Sequence, residues 1–153
     1  MTPKKGPAAM SKMRILLIKV PTFSYPEKDA AMKFLEKNRV EFTPSYALAT
    51  LAAYIDAYFT ADHTLDVYDM NLEALHFSGS VDALGVEALR KAEEKIMGAD
   101  FDVFAVSVQF MFNQQYAVDI IDWAKKRNPD ARVVVGGGYA TIFPDKSIAL
   151  ANV

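Results

Sequence analysis

The feature that most constrains this chain is an alternation between short apolar runs and stretches of helical spacing. Four runs are too short and too β-branched or aliphatic to be anything but strands: residues 14–20 (RILLIKV), 64–68 (TLDVY), 102–108 (DVFAVSV) and 131–135 (ARVVV). Nearly continuous apolar character predicts strands covered on both faces, as in a parallel sheet with helical crossovers. The intervening stretches supply the helices. Residues 44–59 place Leu48, Leu51, Ala52, Ile55 and Phe59 on one apolar face, with Thr43 as N-cap and Pro44 at the first helical position. Residues 82–97 turn Leu84, Leu89, Ala92 and Ile96 inward, and Gly98 suits the C-terminal cap. Residues 114–127 follow Asn113 as cap and turn Ala117, Ile120, Ile121 and Ala124 inward. Their last turn carries Lys125, Lys126 and Arg127, cations that complement the helix dipole. A further helix is predicted over 144–150.

This order predicts an α/β fold: a doubly wound parallel sheet, a flavodoxin-like or Rossmann-like three-layer sandwich with strand order 2-1-3-4. Such folds close on a fifth strand, and the chain ends where that strand would begin. The expectation is therefore a truncated last strand, with residues 13–153 forming the N-terminal domain of a longer protein behind a flexible tail over 1–12. The connection over 21–43 is long and irregular, with a weak helical stretch at 30–37, and loops of that length are usually functional or mobile.

Composition narrows the function classes. The 153 residues have the length of one domain, and 52% apolar with 24% charged residues is ordinary globular composition. A net charge of -2 gives no basic face for nucleic acid. The chain has no cysteine, which rules out disulfides, thiolate-bound zinc and cysteine-held iron–sulfur clusters and fits a cytoplasmic location. No run approaches the roughly 20 apolar residues of a membrane span. Lys19 interrupts the first apolar run too early for a secretory leader.

Parallel sheets of this kind bind ligands beyond the carboxyl ends of their strands. The loops there hold no clustered acids after the first strand, no G-x-x-x-x-G-K-[ST] phosphate loop and no G-x-S-x-G nucleophile elbow. Gly136-Gly137-Gly138-Tyr139-Ala140-Thr141 fails the dinucleotide fingerprint at its last glycine. Nucleotide or flavin binding is further disfavoured by Pro21 where phosphate-binding glycines would stand. His63 and His76 flank the second strand without a convergent ligand pattern. Asp69 and Asn71 read equally as site residues or as turn formers. Phe110-Met111-Phe112 reads as core beneath the long loop or as the lining of an apolar pocket or domain contact. A turn needs one glycine or two, so three in a row point to something bulky against the backbone.

Residues 102–145, from DVFAVSVQF to ARVVVGGGYATIFPD, resemble the cobalamin-binding domain that precedes the catalytic barrel in cobalamin-dependent radical S-adenosylmethionine enzymes. RILLIKVP and LDVYDMNLEAL are similar to the first and second strand ends of the same family. The D-x-H-x-x-G pattern of mutase-type relatives is matched by Asp69 to Ala74, with Asn71 at the position of the cobalt-ligating His. The resemblance therefore implies base-off cobalamin with no protein ligand to cobalt. Ser107 would bond the cofactor's nucleotide tail and Gly136 and Gly137 would let it pass. The implied contact set is Pro21, Thr22, Asp69, Met70, Asn71, Ser107, Val108, Gln109, Gly136, Gly137, Gly138 and Tyr139. S-adenosylmethionine and the 4Fe-4S cluster would belong to a downstream barrel in a methyltransferase or cyclase, with no catalytic residue in this chain. The alternative is a cofactor-free domain of the same fold that docks a partner.

Overall fold

Four strands form one sheet: β1 (Met13–Lys19), β2 (His63–Asp69), β3 (Val103–Ser107) and β4 (Arg132–Gly136). All neighbours are parallel and the order is β2-β1-β3-β4. The computed structural model describes residues 12–23, 25–26, 45–72 and 81–151. The helices are α1 (Tyr46–Tyr58), α2 (Val81–Met97), α3 (Gln114–Arg127), α4 (Gly138–Ile142) and α5 (Pro144–Ala151). The molecule is thus α/β with the expected strand order, consistent with a flavodoxin-like three-layer arrangement.

The two faces of the sheet are covered unequally. Leu16, Ile18, Phe104 and Val106 point to the larger core, with Ala92 and Ile96 of α2 and Ile120 of α3. The helix α5 packs on β4 and α3. Ile15 and Leu17 point the other way, under Leu48 of α1. That second face has α1 over β1 and β2 and Val103 and Ala105 of β3 packed at the rim of the same cluster, while no helix covers β4 on this side among the described residues. Val134 is 56% exposed there. The expectation of strands buried on both faces holds for β1 and weakens at the edges, because β2 and β4 each have one neighbour.

The segment pinned after β1 reaches the larger core. Phe23 is buried, its ring lies edge-on to Tyr116, and Tyr25 Oη donates to Asp119 at 2.7 Å. The predicted tail, the helical stretch at 30–37, the Thr43 cap, Pro44 and His76 lie outside the described residues.

Helix α3 has the predicted bounds, and its four predicted inward residues are buried together with Tyr116. Helix α1 differs. Its N-cap is Ser45, whose Oγ accepts from Leu48 N at 3.3 Å. Leu51 and Phe59, expected inward, are exposed, because only the Leu48–Ala52–Ile55 stripe meets the sheet. Asn113 holds the N-cap position expected of it, though its side chain bonds no helical N–H.

His63 opens β2. Its Nδ1 lies 2.9 Å from Ala61 O and its Nε2 lies 3.2 Å from Asp56 Oδ1. The Ala61 carbonyl first, and then the Asp56 carboxylate, hold the imidazolium form and raise the pKa above the ordinary value. The charged form is thus favoured in the folded state. Its contribution is fully present below the unfolded histidine pKa and is lost as pH rises through the folded value. An NMR titration of His63 is expected to give a pKa above that of a free imidazole, and Asp56→Asn is expected to lower it.

Candidate functional site

The carboxyl ends of the four strands converge on one edge, and backbone bonds seal it. Met70 N donates to Lys19 O, Val20 N to Ser107 O and Val108 N to Gly136 O, at 2.9 to 3.1 Å. All twelve residues named from the resemblance lie on this edge or the turns that leave it. They fall into two groups with different work.

The first group is a clasp. Asp69 is buried, and its Oδ1 accepts from Asn71 N at 3.0 Å and Asn71 Nδ2 at 2.8 Å. Its Oδ2 accepts from Ser45 N at 3.2 Å. Asn71 is fully buried, and its Oδ1 accepts from both Thr22 N (2.8 Å) and Thr22 Oγ1 (3.0 Å). One carboxylate and one amide therefore join the end of β1, the end of β2 and the start of α1. This settles the dual reading of Asp69 and Asn71 toward structure: both Asn71 side-chain heteroatoms are engaged inside the protein. Met70 and Pro21 are buried beside them.

The second group is the turn after β4. Gly137 has φ +91°, and a Cβ there would stand 2.5 Å from Val108 O. At Gly138 a Cβ would stand 2.9 Å from Gln109 O. The chain needs these two glycines for its own backbone crossing, since no L side chain fits such a conformation and approach. Tyr139 then donates its N–H to Val108 O at 3.0 Å and its Oη to Gln114 Oε1 at 2.8 Å, locking α4 onto α3. Gly136 is the exception, for nothing lies within 4 Å of a Cβ built on it. The inference from three glycines to a ligand thus contracts to one.

Gly136 is the register partner of Ser107, at the side of the sheet away from α1. The Ser107 hydroxyl makes no hydrogen bond among the described residues. Beyond it, Gln109 is exposed, Met111 is 56% exposed, and the rings of Phe110 and Phe112 stack at 5.3 Å. The apolar run is therefore surface lining rather than core. Asn113 sits between β1 and β3, where the strand order reverses. Its Nδ2 donates to Pro21 O, and its buried Oδ1 has no hydrogen-bond partner among the described residues.

Two residues of this edge were missed as site residues. Lys19 had a signal, a charge closing an otherwise apolar strand. Asn113 had none, since its bond partner is far along the chain. No group of three His, Cys, Asp or Glu suited to a metal occurs among the described residues. No described helix is long and apolar enough to cross a membrane. A cleft of about 260 Å³ lined by Asp102, Asn128, Asp130 and Arg132 lies at the opposite, amino-terminal edge, away from where open α/β sheets hold ligands. Comparison of the chain with known protein families, curated proteins and solved structures returned no match.

Proposed function

We propose that this domain binds a corrinoid, base-off and without a protein ligand to cobalt, as the cobalamin module of a radical S-adenosylmethionine enzyme whose barrel lies outside this chain. The observation that carries the reading is the pair Ser107 and Gly136. They are a hydroxyl without a hydrogen bond among the described residues and a side-chain-free position beside it, adjacent in register, at the side of the sheet away from α1. A nucleotide tail needs such a slot and a hydroxyl partner for its polar atoms. The residues present fit the tail. They do not fit cobalt ligation by Asn71, whose amide is committed to Asp69 and Thr22. When bound, cobalamin supplies the methyl-transfer or radical chemistry, and this chain binds and orients it.

The test is Gly136→Leu, which projects a side chain into open space and leaves the fold unchanged. Wild-type protein titrated with hydroxocobalamin and desalted is expected to retain a base-off spectrum at one equivalent. The variant is expected to lose affinity by on the order of tenfold or more, about 1.4 kcal/mol. Equal retention by both proteins would overturn the slot.

A second reading is a partner-docking domain, favoured by the outer surface of α1. Tyr46, Tyr54 and Tyr58 are 82%, 61% and 69% exposed on a helix whose one charged residue is Asp56. Helices of that kind are ordinarily covered. Failure of the wild type to retain any corrinoid would favour this reading.

A further inference from the structure

We propose that Lys19, with Ser107, forms a subsite for a phosphodiester at the carboxyl edge of the sheet, where the face covered by α1 gives way to β4. It rests on the corrinoid reading only in placing that phosphodiester in a nucleotide tail.

Register puts the elements together. Lys19 pairs with Asp69 on one side and with Ser107 on the other, and Ser107 pairs with Gly136. The four residues cross the sheet in one row at its carboxyl edge. Because strand side chains alternate, Lys19 shares the face of Ile15 and Leu17, and Ser107 that of Val103 and Ala105. Neighbouring strands lie about 4.8 Å apart, so the ammonium-bearing, hydroxyl-bearing and side-chain-free positions are consecutive.

The Lys19 side chain is only 16% exposed, yet its Nζ stands 3.8 Å from Asp69 Oδ2, beyond hydrogen-bond range. It has no other partner among the described residues. Asp69 does not need it, since three N–H groups already fill that carboxylate. Surface pairs in the same molecule close fully: Lys95 to Asp66 at 2.8 Å and Arg127 to Asp100 at 2.7 Å. The most buried of these three cations is thus the one whose donors find no acceptor within hydrogen-bond range among the described residues, a costly arrangement unless something else fills them. A lysine ammonium is a point charge suited to phosphate oxygens. The Ser107 hydroxyl offers a second donor, and Gly136 leaves room for the substituents. One ammonium already facing one carboxylate suits a monoanion, hence a diester rather than a dianionic monoester.

The experiment uses the full chain, isotopically labelled, with dimethyl phosphate as the probe. Saturable shifts of the Ser107 and Gly136 amides are expected in the wild type and in Lys19→Arg, with loss in Lys19→Met and weakening in Ser107→Ala. The serine variant removes a hydroxyl that bonds nothing among the described residues, so it is expected to fold even if Lys19→Met does not. Absence of wild-type shifts, or shifts unchanged in both Lys19→Met and Ser107→Ala, would overturn the subsite. A second arm compares hydroxocobalamin with cobinamide, which lacks the phosphodiester tail. Ser107→Ala and Lys19→Met are expected to weaken the first several-fold and leave the second unchanged, and equal losses would sink the assignment. If the wild type binds neither corrinoid but shows Lys19-dependent shifts with dimethyl phosphate, the corrinoid reading fails and the phosphodiester subsite stands.

Discussion

Replacing Asp69 by alanine is expected to cost about 3–5 kcal/mol of folding stability, the range found when one partner of a buried charged network is removed. Two buried N–H donors of Asn71 and the half-buried N–H of Ser45 lose their acceptor at once. Each orphaned donor costs about 1–3 kcal/mol. The Lys19 ammonium also loses its one counter-charge among the described residues. Asp69→Asn is expected to cost less. One carbonyl oxygen can still serve Asn71, while the new amide meets the Ser45 N–H, donor against donor. Urea unfolding is the measurement, with the midpoint falling and the slope unchanged. A loss under about 1 kcal/mol would mean that the clasp does not hold the strand ends.

Gly137→Ala is expected to cost about 3 kcal/mol. Left-handed backbone costs a residue with a side chain about 1–2 kcal/mol, and relieving a Cβ contact of 2.5 Å with the Val108 carbonyl oxygen forces a backbone shift worth about as much again. At this chain length the melting temperature should fall by roughly 6–12 °C. Gly136→Ala is the control, with an expected change within about 0.5 kcal/mol, since its Cβ meets nothing within 4 Å. The pair separates two explanations of the glycine run. If both glycines serve only a ligand, both variants melt like the wild type. If backbone crossing requires Gly137, only that variant falls.

Helix α3 shows how far local signals reach. Its start, its end at Asn128-Pro129 and its inward stripe all follow from residues within one turn of each other. The Ser45 cap shows where they fall short. Thr43 and Ser45 are both sound caps by chemistry, and Ser45 N is held by Asp69 from a different strand. The Asp69–Asn71 pair was equally legible as turn or site. Its partner Thr22 lies across the sheet, and no spacing rule reaches it. The triple glycine was a true signal with a partly wrong cause, because Val108 and Gln109, rather than a ligand, crowd two of the three positions.

The sequence by itself determined the number of described strands, their parallel order and the helices between them, because periodicity and end signals act between neighbours along the chain. Only the tertiary structure decided that Asn71 is a buried staple, that Lys19, Ser107 and Gly136 share one row, and that this row runs from the strand under α1 to the edge strand β4. Those facts depend on strand register and on which face each crossover helix covers, and both are set by packing between residues far apart in the chain.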